Sequence, residues 1–401
     1  MSGLLTLEEV QALAIAHAPQ PQVQRRLVSV ALGLVLAGPV IAQRTQPQAD
    51  LSAMDGYAIA GAGPWTRIGE ARAGEPFAGE LADAECTRIS TGAHLPAGAD
   101  RVLIQENAVI KGDSVALAEG EALPEVGSHV RQRGFDFAEG DTVLDAPGER
   151  IGAGQIALLL AAGVSHVDVY APARVAVLEC GDELRVDPAA CGPHQIPAVN
   201  GAMIEALLAQ TGCTVTRSDP VADDRAALVR AFEAHENADI VLISGGASVG
   251  DHDHVRAALI DWGASLHAWK AAIKPGKPVM VATRGAQAVL GLPGNPVSSF
   301  VTAFLFAVPM VRKAMGMSDC AHPTHAARMG HELAATGARR EFLRGRLEAG
   351  EVRLAGSQDS SALRALAEAN CLIDRPAVAD ALAAGDAVRV YPLQNGAIAG
   401  L

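Results

Sequence analysis

Leu7, Val10, Leu13 and Ala14 repeat with helical spacing, and Thr6 with Glu9 has the spacing of a capping box. The chain therefore opens with a helix that should stop before the Pro19 and Pro21 pair. The next apolar run, 27–42, follows Arg25-Arg26 and is interrupted by Gly33, Gly38 and Pro39. It is too short to span a bilayer and starts too far into the chain for a signal peptide, so it reads as a short buried helix and strand. From 45 to about 145 the apolar runs shorten and turn signals crowd in, among them Asp55-Gly56, Gly63-Pro64, Gly112-Asp113 and Gly140-Asp141. That spacing predicts a small all-β unit. It interrupts another domain, because the helical pattern at 151–162, ending at Gly163, has no partner of its own.

Between about 166 and 315 the pattern changes to apolar strands alternating with helices. Strands are predicted at 173–178, 213–216, 240–243, 279–282 and 289–292. Helices are predicted at 201–210, after Asp223-Asp224, up to Trp262, and from 297 to 315. Such alternation implies a parallel sheet covered on both faces. Beyond 326 the period returns to two, as in Glu341-Phe342-Leu343-Arg344-Gly345-Arg346, with one short helix at 361–369. The fold class is multidomain α/β, with a doubly wound domain, an inserted β-rich unit and a small C-terminal β domain.

Composition narrows the function classes. Apolar residues make up 49% of the 401 residues and aromatics only 3%, which suits loop-rich Ala/Val/Leu cores. The formal charge of −13 opposes general binding to nucleic acid or an anionic membrane, so any anion must meet a local basic pocket. The cysteines at 86, 180, 191, 213, 320 and 371 form no C-x-x-C pair, which reads as free thiols in a reducing, cytoplasmic setting.

In an open parallel sheet, ligands lie beyond the carboxyl ends of the strands. Three such ends carry Gly-rich loops: Gly181-Asp182-Glu183, Ser244-Gly245-Gly246-Ala247-Ser248-Val249-Gly250, and Pro293-Gly294-Asn295-Pro296. Glycines let backbone N–H groups approach phosphate, and the following helix N-terminus favours an anion. Three together predict a phosphorylated ligand. Glu183, Asp223, Asp224, Asp251 and Asp253 crowd the same edge, where carboxylates tolerate phosphate best through Mg²⁺. Asp251 or Asp253 is the candidate metal ligand on this pattern. One of Asp223 and Asp224 should instead cap the next helix. Lys270, Lys274 and Lys277 supply positive charge, the last two within Lys274-Pro275-Gly276-Lys277-Pro278, a rigid turn that fits a compact tetrahedral oxyanion.

Together these motifs resemble the MoeA and gephyrin E-domain family. The Gly181-Asp182-Glu183-Leu184 loop, Ser244-Gly245-Gly246, Ser248 to Asp251, the lysine turn and Gly291 to Ser298 resemble its molybdopterin-binding domain. Ser52-Ala53-Met54-Asp55-Gly56-Tyr57-Ala58, and Ser90-Thr91-Gly92-Ala93 with Pro96, resemble its inserted β domain. Val130-Arg131 with Gly134 and Asp136 resembles a third motif, and Arg340 to Arg344 with Ser360-Ser361 matches the tail. The resemblance spans essentially the whole chain in order. It implies four domains: an elongated linker domain (1–45 with 131–168, its first helix able to pack on the α/β domain), the inserted β-rich domain (46–130), the doubly wound domain (169–317) and a small barrel-like β domain (318–401).

It further implies a homodimer with sites shared between subunits, and molybdopterin molybdenumtransferase activity with Mg²⁺ on adenylylated molybdopterin and molybdate. By the resemblance, Asp55, Thr91, Asp136, Glu183, Asp224 and Asp253 are catalytic. Gly181, Asp182, Ser244, Gly245, Gly246, Ser248, Gly250, Pro293, Gly294, Asn295 and Pro296 bind the pterin nucleotide. Lys274, Lys277, Ser298, Arg344 and Ser361 bind molybdate. Other cofactor-synthesis proteins are candidate partners. Two positions depart from the family pattern. Glu179-Cys180 stand where the family has Ser-Thr, and Ala198-Val199 where it has Asp-Ser or Asp-Thr before Asn200. Glu179 would repel a phosphate unless it turns away or meets the cation. The alternatives are a non-catalytic scaffold, or a molybdopterin adenylyltransferase, which would need neither Asp55 and Thr91 nor the C-terminal domain.

Overall fold

The computed structural model describes residues 4–246 and 254–393. Ser248, Gly250, Asp251 and Asp253 lie outside the described residues. The capping box forms as predicted: the Thr6 hydroxyl accepts from Glu9 N, and Thr6 N donates to the Glu9 carboxylate at 2.7 Å. Helix Leu7–Ala16 packs Leu7, Val10 and Ala14 into the core of the α/β sheet rather than onto the linker region.

That sheet has the order Thr214–Arg217, Arg174–Glu179, Ile240–Ser244, Gln287–Leu292, Pro278–Arg284, Ser265–Lys270. Its first four strands are parallel. The last two run antiparallel to their neighbours, which corrects the all-parallel expectation. The reason is local. Arg284 pairs with Gln287 across a two-residue loop in which Gly285 takes φ +59°, and so short a connection can join only antiparallel strands. The edge strand Ser265–Lys270 has no clean alternation and was not predicted. Helices cover both faces. Leu7–Ala16, Asn200–Ala209 and the segment from Pro296 to Ala314 pack on one. Arg225–Ala234 and His254–Asp261 pack Leu228, Phe232, Val255 and Leu259 on the other.

The Pro296–Ala314 segment is long and apolar enough to cross a membrane, but 89% of it is buried in this core. It is not one continuous α-helix. A π-turn at Ala303–Ala307 precedes Pro309, which has no N–H to donate to the preceding turn.

The C-terminal strands Arg340–Glu348, Glu351–Leu354, His325–Met329, Ala387–Pro392 and Cys371–Arg375 close on themselves, because the last also pairs with the first. The resulting five-strand barrel docks on the α/β sheet through Ile273–Lys274, which pairs with Arg340 and Glu341. Phe342 is fully buried at that seam. The inserted unit is a six-stranded sheet running Arg101–Ile104, Gly56–Ile59, Glu85–Ile89, Trp65–Ala71, Ser114–Leu117, Ala108–Lys111. Residues 27–42 give a 3₁₀ turn at Val28–Val30 and two short strands, Val35–Leu36 and Val40–Ile41, in place of a helix. The six cysteines are all free thiols.

Candidate functional site

Register sets the site. Glu179, Ser244 and Leu292 pair side by side across the three central parallel strands, so their loops leave the sheet at one level. The loops are packed too tightly for side chains. A Cβ at Gly245 (φ +93°) would lie 2.2 Å from the Cys180 carbonyl oxygen, and one at Gly294 would lie 3.3 Å from the Gly245 Cα. Asn200 ties them together. Its Nδ2 donates to the Ser244 hydroxyl at 2.9 Å and to the Gly294 carbonyl at 2.7 Å. Ser244 in turn donates to the Pro293 carbonyl and touches the Ser299 hydroxyl.

The acids divide their work. Asp224 caps helix Arg225–Ala234, its Oδ1 accepting from Ala227 N at 2.8 Å. Asp224 thus takes the capping role expected of one of the pair, which leaves Asp223 as the acid facing the loops. Asp223 accepts the Cys180 thiol at 2.9 Å, and its own N–H donates to Asp182 Oδ1. Burial and the adjacent Asp223 carboxylate push the Cys180 thiol well up, so it is a protonated donor and not a nucleophile. Glu183 is exposed, and its carboxylate lies over Gly181, 2.7 Å from where a Cβ would be. Among the described residues, no three or more His, Cys, Asp and Glu side chains converge on a metal position.

Glu179 turns away from the ligand edge. It is buried, and its carboxylate accepts from Asn200 N at 3.0 Å and from Gly201 N. Burial raises its pKa despite these bonds and the nearby Arg217. A carboxyl raised in the folded state contributes its full stability below its unfolded pKa and loses it as pH rises through the folded value. The melting temperature of the native protein relative to Glu179→Gln should therefore fall as pH rises above the ordinary glutamate range. A difference that is flat or grows with pH would contradict the assignment.

A second cluster forms where the barrel meets the sheet. Gly276, at φ +106°, brings the lysine turn against the helix start at Pro296–Thr302, where a Cβ would strike Thr302 Cγ2 at 2.5 Å. Val297 N donates to the Ser360 carbonyl, which brings the barrel loop to the same place. Lys277, Ser298 and Ser361 thus share one junction. Lys277 is exposed and has no ion-pair partner between described residues. Lys274 differs, because its ammonium pairs with Glu341 Oε1 at 2.9 Å.

Arg344 also differs from expectation. It is only 1% exposed, and it donates to the Ser357 and Asp359 carbonyls. Its Nε is buried without a partner among the described residues, and burial lowers its pKa. It holds the 357–361 loop from beneath and offers no open face to an anion. Asp359, missed in the sequence, fixes Ser361 by accepting both its N–H and its hydroxyl, at 2.8 and 2.6 Å. The Asp-x-Ser spacing of an Asx turn was the available signal.

Asp55 and Thr91 meet although 36 residues apart. Asp55 Oδ1 accepts Thr91 N at 2.7 Å and the Thr91 hydroxyl at 3.1 Å. These two donors, and then Arg88, hold the Asp55 carboxyl below its usual range. Asp136 is exposed, and its N–H donates to the carbonyl of Gln46 on the segment that leads towards Asp55. Asp55 and Thr91 sit beside the ends of the inserted-sheet strands Gly56–Ile59 and Glu85–Ile89, whereas Asp136 lies outside that sheet. No hydrogen bond or ion pair between described residues joins 51–130 to 174–313.

Comparison with known proteins covers nearly all of the chain. Residues 5–163 match the family described as the MoeA N-terminal region (domain I and II). Residues 176–313 match a probable molybdopterin binding domain, and 326–393 the MoeA C-terminal region (domain IV). The chain is 32% identical to a protein of Haemophilus influenzae named molybdopterin molybdenumtransferase, over 98% of this chain and 99% of that one. It is 33% identical to the protein of that name from a Nostoc species, over 90% and 86%. A crystal structure of a molybdopterin biosynthesis MoeA protein from Pyrococcus horikoshii superposes with a TM-score of 0.83 at 28% identity, covering 97% of this chain and 99% of that one.

Proposed function

This chain belongs to the MoeA family, and from that premise we propose that it is a molybdopterin molybdenumtransferase, inserting molybdate into adenylylated molybdopterin with release of AMP. The observation that carries the reading is the junction of three elements beside the Gly-rich strand ends: the lysine turn, the Pro296–Thr302 helix start and the 357–361 loop. A cationic pocket suited to a tetrahedral oxyanion there adjoins backbone N–H groups suited to a pyrophosphate.

In this reading Lys277, Ser298 and Ser361 hold molybdate. Lys274 adds positive field while paired with Glu341, and Arg344 keeps the Ser361 loop in place. Gly181, Ser244, Gly245, Gly246 and Gly294 line the nucleotide side. In a homodimer, Asp55, Thr91 and Asp136 of one subunit would complete the site of the other. Exposed Glu183, with Asp251 or Asp253, offers the oxygen donors that Mg²⁺ takes alongside substrate phosphates. Such an ion would offset the pyrophosphate charge. The protein's own part is to hold the dithiolene sulfurs beside molybdate, so that sulfur replaces an oxygen that leaves molybdenum as water with the two thiol protons, while a second water opens the phosphoanhydride and AMP departs. No side chain need bond covalently to substrate: orientation and charge neutralisation carry the rate. In this reading the chain works in the cytoplasm, whose reducing setting suits its six free thiols.

Reconstitution tests the reading. The protein, mixed with adenylylated molybdopterin, molybdate and Mg²⁺, should activate a molybdenum-free molybdoenzyme. Activation that is equal without this protein would count against it.

A further inference from the structure

Helix Asn200–Ala209 begins at Val199, which offers no side-chain cap. Its first N–H groups lie in the buried region around Asn200 and cannot be left unpaired there. Capping by Ser, Thr, Asp or Asn at the residue before the helix is the ordinary solution. Here the acceptor comes from the neighbouring strand. Glu179 Oε1 accepts Asn200 N at 3.0 Å, and the carboxylate also accepts Gly201 N. Gly201 permits this, since a Cβ there would lie 2.6 Å from Glu179 Oε2. The helix dipole favours the carboxylate at that end.

The capped residue is the one that knots the loops. The two Asn200 Nδ2 bonds, to Ser244 and Gly294, fix its amide orientation, because the Gly294 carbonyl can only accept. Among the described residues its buried Oδ1 has no partner, so the two Nδ2 bonds are the polar anchors of the side chain.

We propose that Glu179 is a positioning residue that stands in for the cap lost at Ala198-Val199, and that it sets the Ser244-Gly245-Gly246 and Gly294 loops in register through Asn200. The two departures from the family pattern are then one exchange: the cap has moved from the helix to the strand. It follows that restoring a hydroxyl at 179 alone harms the site, whereas restoring it together with a cap at 199 does not. The kinetic consequence rests on the transferase reading above. The structural consequence does not.

The test compares Glu179→Ala, Glu179→Gln and the double variant Glu179→Ala with Val199→Asp. Amide hydrogen exchange at 244–246 and 292–296 is measured alongside the KM values for adenylylated molybdopterin and for molybdate. Glu179→Ala should speed exchange in both loops and raise the nucleotide KM about tenfold, with the molybdate KM unchanged within about twofold. Glu179→Gln, which keeps an oxygen acceptor, and the double variant should each restore most of both. Unchanged exchange in Glu179→Ala, an equal rise in both KM values, or no recovery in the double variant would overturn the proposal. Should Glu179→Ala fail to fold, a folded double variant upholds the exchange of caps and an unfolded one overturns it. If the native protein itself releases no AMP, the transferase reading fails, and the exchange rates still decide the role of Glu179.

Discussion

Asp55→Ala should lower molybdate-dependent turnover by about two to three orders of magnitude, the usual consequence of removing a preorganised charge from a reacting centre. The charge is preorganised because Thr91 gives Asp55 two donors, one from the backbone and one from the hydroxyl. Thr91→Ala keeps the backbone donor, so its loss should be smaller, about tenfold. The same bonds lower the Asp55 pKa, so the carboxylate stays ionised on mild acidification and should not set the acidic limb of a rate profile. Mixing gives the sharper outcome. If Asp55 serves the site of the partner, an equimolar dimer population of Asp55→Ala and Glu183→Ala subunits contains half heterodimers, each with one intact site. Activity should then recover to about a quarter of native. Recovery no greater than the sum of the two parents would place Asp55 and Glu183 in the same subunit's site.

Lys277→Ala should raise the molybdate concentration required by about 10- to 100-fold, the worth of one charge-assisted contact, and change nucleotide affinity much less. Lys277 is the stronger test of the pocket because it is exposed and unpaired among described residues, whereas Lys274 already shares its charge with Glu341. Lys274→Ala should cost less at the oxyanion and more at the seam between sheet and barrel, where Lys274 pairs in register with Glu341. Titrating molybdate in each variant separates the two lysines. Equal losses for molybdate and nucleotide in Lys277→Ala would mean that the turn serves the whole ligand and not the oxyanion.

What the sequence disclosed was local chemistry. Gly245, Gly276 and Gly294 are legible because only glycine fits where backbone approaches backbone or φ is positive. The capping box at Thr6 and Glu9 is legible because both partners lie within one turn. The Lys-Pro-Gly-Lys-Pro turn is legible because prolines restrict it. Long-range pairing was not legible. Nothing near Lys274 names Glu341 as its partner, and nothing near Glu179 shows that its acceptor role lies at Asn200, 21 residues on.

The burial of Arg344 follows from the period of its strand. Period two from the buried Phe342 turns Arg344 inward on the same strand, and the buried guanidinium then binds loop carbonyls in place of an anion. The choice between Asp223 and Asp224 depended on where the helix begins, to within one residue, which pattern alone does not fix. The antiparallel sheet edge was missed because a Gly285-Ala286 loop resembles any other turn until its length is used.

AMP release from adenylylated molybdopterin, measured with Mg²⁺ over a molybdate titration, decides whether this chain is a molybdenumtransferase. Release should depend on and saturate with molybdate, with sulfate a poor substitute. Tight nucleotide binding with no molybdate-dependent release would contradict that assignment.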